Sequence, residues 1–283
     1  MRRIFVPGFA AVALLCLPWP AKALIVESLF ELPVQVMDRK GQVVSHTIPV
    51  NVTRDMAKAR APFLIYNHGR APTAAERTKP GRMRLGDNAR YFAALGYTVF
   101  TPTRVGYLSA GGSDVEDSGG CNSKNYPPAY EAGAAQTVTL IEHVKTLPYI
   151  EPRGIVLGQS FGGAIAVAIA AKNIPGVLAA VNFAGGAGGR PSTHPEQPCQ
   201  PERFARLLAT YGSTAKIPTL WLYSENDRYF GKDIPHTWFN AFIEKGGKGK
   251  FIQLPAHGRD GHVSFTSNPT AWQSAFEAFL KGL

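Results

Sequence analysis

The sequence predicts an α/β fold: a mainly parallel, doubly wound sheet with helices on both faces and an antiparallel hairpin at its start. Three observations predict it. Short apolar runs rich in β-branched and aromatic residues alternate with segments of helical period, the pattern of successive β–α–β units. Two β-rich runs joined by a turn precede that alternation. At its centre, Gly154 to Ala170 (GIVLGQSFGGAIAVAIA) reads as a strand, a tight glycine turn and a small-residue helix.

The chain has 283 residues, 45% of them hydrophobic, enough for one large core. Its start reads as a secretory leader. Arg2-Arg3 supplies the positive charge, Phe9 to Leu17 is apolar, Pro18 and Pro20 break the run, and Ala21-Lys22-Ala23 is an A-x-A-type cleavage site. The apolar run is too short to span a membrane. Residues 1–23 are thus expected to be removed, leaving 24–283 as a single domain, exported to the periplasm or secreted.

The elements follow in order. Leu29 to Met37 and Val43 to Val52 are strands, and Asp38-Arg39-Lys40-Gly41 is the turn of their hairpin. Phe63 to Tyr66 is a strand ending at Asn67-His68-Gly69, followed by a polar loop, Arg70 to Asp87. Asn88 to Leu95 is a helix closed by Gly96. Tyr97 to Phe100 is a strand leading to Arg104. The segment 108–128 is rich in Gly, Ser, Asn and Pro. Ala129 to Leu147 has helical period and stops at Pro148. After the central stretch come a strand (Val177 to Phe183), an irregular loop (184–200), a helix (Pro201 to Tyr211) and a strand (Pro218 to Tyr223). A helix (Pro235 to Lys245), a strand (Lys250 to Leu254) and an amphipathic helix (Thr270 to Leu280) complete the chain. Ligands of parallel sheets bind beyond the carboxyl ends of the strands, which here lie at His68, Arg104, Ser160, Ala184, Asp227 and Pro255.

Gly158-Gln159-Ser160-Phe161-Gly162 fits Gly-x-Ser-x-Gly between a strand and a helix. That context marks a serine thrust out on a sharp, strained turn. A serine hydroxyl attacks only when a base takes its proton and an acid orients the base. Asp227 is the expected acid, just past a strand, with Glu225 as its rival. His262 is the expected base, in the Gly-rich loop after the last strand, with His257 as its rival. The backbone N–H groups of Phe161 and Arg70 are the expected donors to an oxyanion.

The order Ser160, Asp227, His262 resembles that of the α/β-hydrolase superfamily. Within it, the chain is most similar to the dienelactone-hydrolase-like serine esterases, from the leading hairpin to the last helix. The likeness rests on Asn67-His68-Gly69, Gly158 to Gly163, Ser224-Glu225-Asn226-Asp227 and Asp260-Gly261-His262. It implies an α/β-hydrolase fold and a serine hydrolase of carboxylic esters. One residue departs from the pattern: dienelactone hydrolases proper use a cysteine nucleophile, and Ser160 stands here, which favours ordinary esters over lactones. A peptidase or amidase on the same fold, and a catalytically silent binding module, are the alternatives.

The remaining features bound the site. Cys16 leaves with the leader, so Cys121 and Cys199, one in each irregular loop, are expected to form a disulfide beside the cleft in an oxidising compartment. Tyr107, Tyr126, Tyr229 and Phe230 are candidate pocket walls. Little beyond one helix is inserted before Pro218, so no large cap is expected and the substrate could be a small or a polymeric ester. Losing Arg2, Arg3 and Lys22 takes the formal charge from +10 to +7. The cations are scattered without interleaved aromatics, which argues against a nucleic-acid partner. No ligand spacing suggests a metal, and no glycine pattern suggests a phosphate-bearing cofactor.

Overall fold

The computed structural model describes residues 23–71 and 73–283. The expected leader lies outside the described residues except for Ala23. In chain order the elements are β1 (Ile25–Met37), β2 (Val43–Asp55), β3 (Ala61–Asn67), α1 (Ala74–Arg77), α2 (Asp87–Ala94), β4 (Thr98–Pro102), α3 (Tyr126–Lys145), β5 (Ile150–Gln159), α4 (Phe161–Lys172), β6 (Val177–Phe183), α5 (Pro201–Gly212), β7 (Thr219–Ser224), α6 (Ile234–Glu244), β8 (Gly249–Leu254), α7 (Ser264–Ser267) and α8 (Gln273–Leu280).

The eight strands form one sheet in the order β1-β2-β4-β3-β5-β6-β7-β8. β1 pairs with β2 antiparallel along its whole length, from Ile25 opposite Asp55 to Met37 opposite Val43. β2 meets β4 antiparallel, and every later pairing is parallel. Successive side chains of a strand face opposite ways, and the core divides accordingly. Phe63, Ile65 and Val156 pack on one face with residues of α3, α4, α5 and α6. Leu64, Ile155 and Leu157 pack on the other with Phe92 of α2, Phe265 of α7 and Phe276 of α8. The result is the α/β-hydrolase architecture that the sequence implied.

α4 is buried from Phe161 to Ala170, as a helix apolar on every side must be. Its glycines let it approach the sheet: a Cβ on Gly162 would collide with the carbonyl of Asn67 in β3. Some boundaries differ from expectation. β1 begins at Ile25 and β2 runs to Asp55 because the hairpin ladder continues past the apolar alternation. α3 begins at Tyr126, with prolines in its first turn, where a missing N–H costs nothing. The polar loop after β3 holds α1, closed by a capping box in which Thr73 and Glu76 bond each other's backbone N–H groups. The last helix starts at Gln273 because Pro269–Ala271 forms a 3-10 turn.

Candidate active site

Ser160 sits where β5 ends and α4 begins. Its backbone has φ 56° and ψ −126°, a region that costs L-residues about 1–3 kcal/mol. The turn leaves no choice, because a Cβ on Gly158 would collide with the carbonyl oxygen of Gly162. The hydroxyl therefore stands beyond the carboxyl edge of the sheet.

Two other rim loops meet it there. His262 Nε2 lies 2.9 Å from Ser160 Oγ, and His262 Nδ1 lies 2.9 Å from Asp227 Oδ2. A carboxylate only accepts, so Nδ1–H donates to Asp227 and Nε2 is left to accept from the serine hydroxyl. Asp227 is fully buried, and its Oδ1 accepts the N–H groups of Tyr229 at 2.8 Å and Phe230 at 3.1 Å. Asp260 Oδ1 accepts from the backbone N–H groups of both His262 and Arg228, each at 3.0 Å, tying the Asp227 loop to the His262 loop. The Gln159 side chain donates to the His262 carbonyl at 3.0 Å. Tyr229 stacks on the imidazole, with centroids 4.0 Å apart, and Phe230 meets it edge-on at 5.3 Å.

The rivals stand elsewhere. Glu225 is exposed and paired with Lys232 at 3.2 Å. His257 is held through its backbone N–H by Asn226 Oδ1 at 2.9 Å.

Gly69 packs against the serine; a Cβ on it would lie 3.1 Å from Ser160 Cβ. Among the described residues, the N–H groups of Phe161 and Arg70 donate to no protein acceptor, so both stay free for a ligand oxygen. The Gly69–Arg70 peptide is held from behind by His68, whose Nδ1 lies 2.7 Å from the Gly69 carbonyl. His68 Nε2 accepts the N–H of Arg104 at 3.2 Å, which leaves the ring proton on Nδ1. Burial, with the Arg104 guanidinium close by, pushes the His68 pKa well below its ordinary value. Arg104 is itself buried in a bidentate pair with Glu116 at 2.5 and 3.1 Å, and Tyr107 donates to Glu116 at 2.7 Å.

A cavity of about 320 Å³ opens beside Ser160. Phe161, Tyr229 and Phe230 form its apolar wall. The irregular loops after β4 and β6 form the rest together with Ser160 and with Arg70 and Ala71 of the loop after β3, and Cys121 and Cys199 are joined there, with S–S 2.06 Å and Cα–Cα 5.0 Å. Tyr107 and Tyr126 do not line it, contrary to expectation. Both are buried behind it, drawn inward by their hydroxyls: Tyr107 bonds Glu116, and Tyr126 bonds the Cys199 carbonyl. Missed from the sequence were Lys124 and Arg190, which also line the cavity; the glycine run before Arg190, Gly185-Gly186-Ala187-Gly188-Gly189, was the available signal. Among the described residues, no three His, Cys, Asp or Glu side chains gather as metal ligands, and no helix is long and apolar enough to cross a membrane.

A sequence model described as the dienelactone hydrolase family matches residues 84–279, more than half of the chain. No curated protein matches in sequence. Among solved structures, the chain is similar to an acetyl xylan esterase from a Paenibacillus species, with 14% identity over 93% of this chain and 85% of that one, and a TM-score of 0.60. It is similar to an esterase named E22, with 11% identity over 91% and 100% of the two chains, and a TM-score of 0.60. It also resembles an acylaminoacyl peptidase from Pyrococcus horikoshii, with 12% identity and a TM-score of 0.57, covering 93% of this chain but 41% of that one. At such identities the likeness is one of fold.

Proposed function

The chain belongs to the dienelactone hydrolase family, and from that premise we propose that it is a serine hydrolase that cleaves carboxylic esters through an acyl-enzyme. The observation that carries this reading is the unbroken chain of hydrogen bonds from Ser160 through His262 to Asp227.

Ser160 Oγ attacks the ester carbonyl while His262 Nε2 takes its proton. Buried Asp227 steadies the imidazolium through Nδ1–H and fixes its tautomer. The carbonyl oxygen, now negative, receives the N–H groups of Phe161 and Arg70, and the N-terminus of α4 favours the same charge. The C–O bond to the alcohol breaks, and His262 returns the proton to the departing oxygen. A water molecule, deprotonated by His262, then attacks the acyl-serine and frees the acid. Ser160 replaces the cysteine of dienelactone hydrolases proper. An oxygen nucleophile depends on its base more than a thiol does, and the 2.9 Å between His262 Nε2 and Ser160 Oγ supports that reading.

The test is Ser160→Ala assayed on p-nitrophenyl acetate and butyrate. Loss of at least about 10³-fold in kcat is expected; a near wild-type rate overturns the assignment. A fluorophosphonate probe should label Ser160, which a silent binding module would not allow.

We further propose that residues 24–283 form one exported unit. The Cys121–Cys199 bond suits an oxidising compartment. Sequencing the protein recovered outside the cytoplasm should read Leu24 first; an intact Met1 start there overturns the leader.

A further inference from the structure

The edge of the sheet opposite the Ser160 rim carries a surface that the chemistry at Ser160 does not use. The parallel strands start there: β3 at Ala61, β4 at Thr98, β5 at Ile150, β6 at Val177, β7 at Thr219 and β8 at Gly249. β2 runs antiparallel to β4, with Thr53 opposite Val99, so its last residues and Met56 belong to the same edge.

Cations scattered along the sequence are gathered here by the topology. Lys58 and Arg60 precede β3, Lys216 precedes β7, and Lys245, Lys248 and Lys250 surround the start of β8. All six are exposed. Among the described residues, none of them forms a salt bridge. Most acids of this edge are engaged elsewhere: Glu142 with Lys145, Glu151 with Arg153, and Asp55 with the N–H groups of Leu24 and Ala57. Glu244 is the exposed exception. Two local causes account for part of the cluster. Lys245 stands at the C-cap of α6, where a cation meets the negative end of the helix. Lys250 lies on the edge strand β8, where a lysine deters pairing with another chain. Neither cause covers Lys58, Arg60, Lys216 or Lys248.

The same edge exposes large apolar side chains: Leu24 is 61% exposed, Met56 47%, Leu95 38% and Leu178 41%. The first three adjoin. The Met56 N–H donates to the Leu24 carbonyl at 2.9 Å, and a Cβ on Gly96, the neighbour of Leu95, would lie 2.6 Å from Lys58 Nζ. Apolar side chains set among lysines suit a bilayer interface, where the one enters the acyl boundary and the other meets anionic headgroups.

We propose that this edge is a docking surface for an anionic lipid bilayer, on which the protein rests with the Ser160 rim turned to the water. The charge is complementary, and the exposed Leu and Met side chains favour a bilayer over a soluble polyanion. The surface stands independently of the serine-hydrolase reading.

Vesicle sedimentation tests it. Each basic residue near an anionic surface raises partitioning about fivefold. The protein should bind vesicles of equal parts phosphatidylglycerol and phosphatidylcholine at least about 20-fold more strongly than pure phosphatidylcholine; no such preference overturns the proposal. Lys58→Gln, Lys216→Gln, Lys248→Gln and Lys250→Gln combined should weaken that binding by at least about 50-fold. Lys40→Gln, Lys79→Gln, Arg84→Gln and Arg259→Gln combined remove the same charge from exposed positions away from this edge and should weaken it less than about fivefold. Equal losses in the two variants would mean that net charge acts without a face, and would overturn the surface.

Met56→Ser with Leu178→Ser should weaken vesicle binding about 10-fold. No loss in that variant, or polygalacturonate bound as tightly as the vesicles, overturns the bilayer in favour of an acidic polysaccharide. Tm checks that each variant is folded. Should one misfold, the wild-type protein decides: sodium chloride at about 0.5 M should strip most of it from the mixed vesicles, and binding unchanged by salt overturns the proposal.

Discussion

His68 shows how one side chain governs another's backbone. Its Nδ1–H holds the Gly69 carbonyl, and in a trans peptide the following N–H points the opposite way. The Arg70 N–H is thereby turned away from His68. His68→Ala should lower kcat by about 10- to 100-fold with little change in KM, somewhat less than outright loss of an oxyanion donor. His68→Asn, which keeps a donor near Nδ1, should retain most of the rate, and equal losses in both would count against a positioning role. A pH dependence follows. Folding lowers the His68 pKa below its ordinary 6.5, so the unfolded chain binds the proton more readily. The stability tied to neutral His68 is present above about pH 6.5 and is lost as pH falls through the folded value. Urea melts between pH 7 and pH 5 should show a smaller loss in His68→Asn than in wild type.

At this scale the sequence was legible where chemistry forces a spacing. Gly158 and Gly162 flank Ser160 because only glycine clears the neighbouring backbone, so the turn could be read directly. The pocket walls were not legible. Whether a loop tyrosine faces a cavity or the core depends on partners far off in sequence, as with Tyr126 and Cys199.

At the scale of elements, the loop after β4 and the loop after β6 have little regular structure yet line the cavity. Glycine-rich loops lose much backbone freedom on ordering, and the Cys121–Cys199 bond removes part of that freedom beforehand. Reducing it should destabilise the protein by about 2–4 kcal/mol, read as a lower urea midpoint in dithiothreitol. An unchanged midpoint would mean the bond contributes little. Apolar alternation made most strands and helices readable. α1 was missed although Thr73-Ala74-Ala75-Glu76 spells a capping box, because a single turn of helix buries no apolar stripe.

For the whole molecule, the class of fold was readable but the strand order was not. β4 inserts between β2 and β3, a choice made by long-range pairing that leaves no local mark in the sequence. The meeting of Ser160, Asp227 and His262 at one rim follows from that order, since β5, β7 and β8 run parallel and present their carboxyl ends together.

The disulfide has one more consequence. By linking residues 78 apart, it turns α3, β5, α4 and β6 into a covalent hoop, with the candidate nucleophile on its circumference. The exposed turn around Ser192–Gln197 lies on the same hoop. A protease nick there would open the ring without dividing the chain: one band on a non-reducing gel, two after reduction.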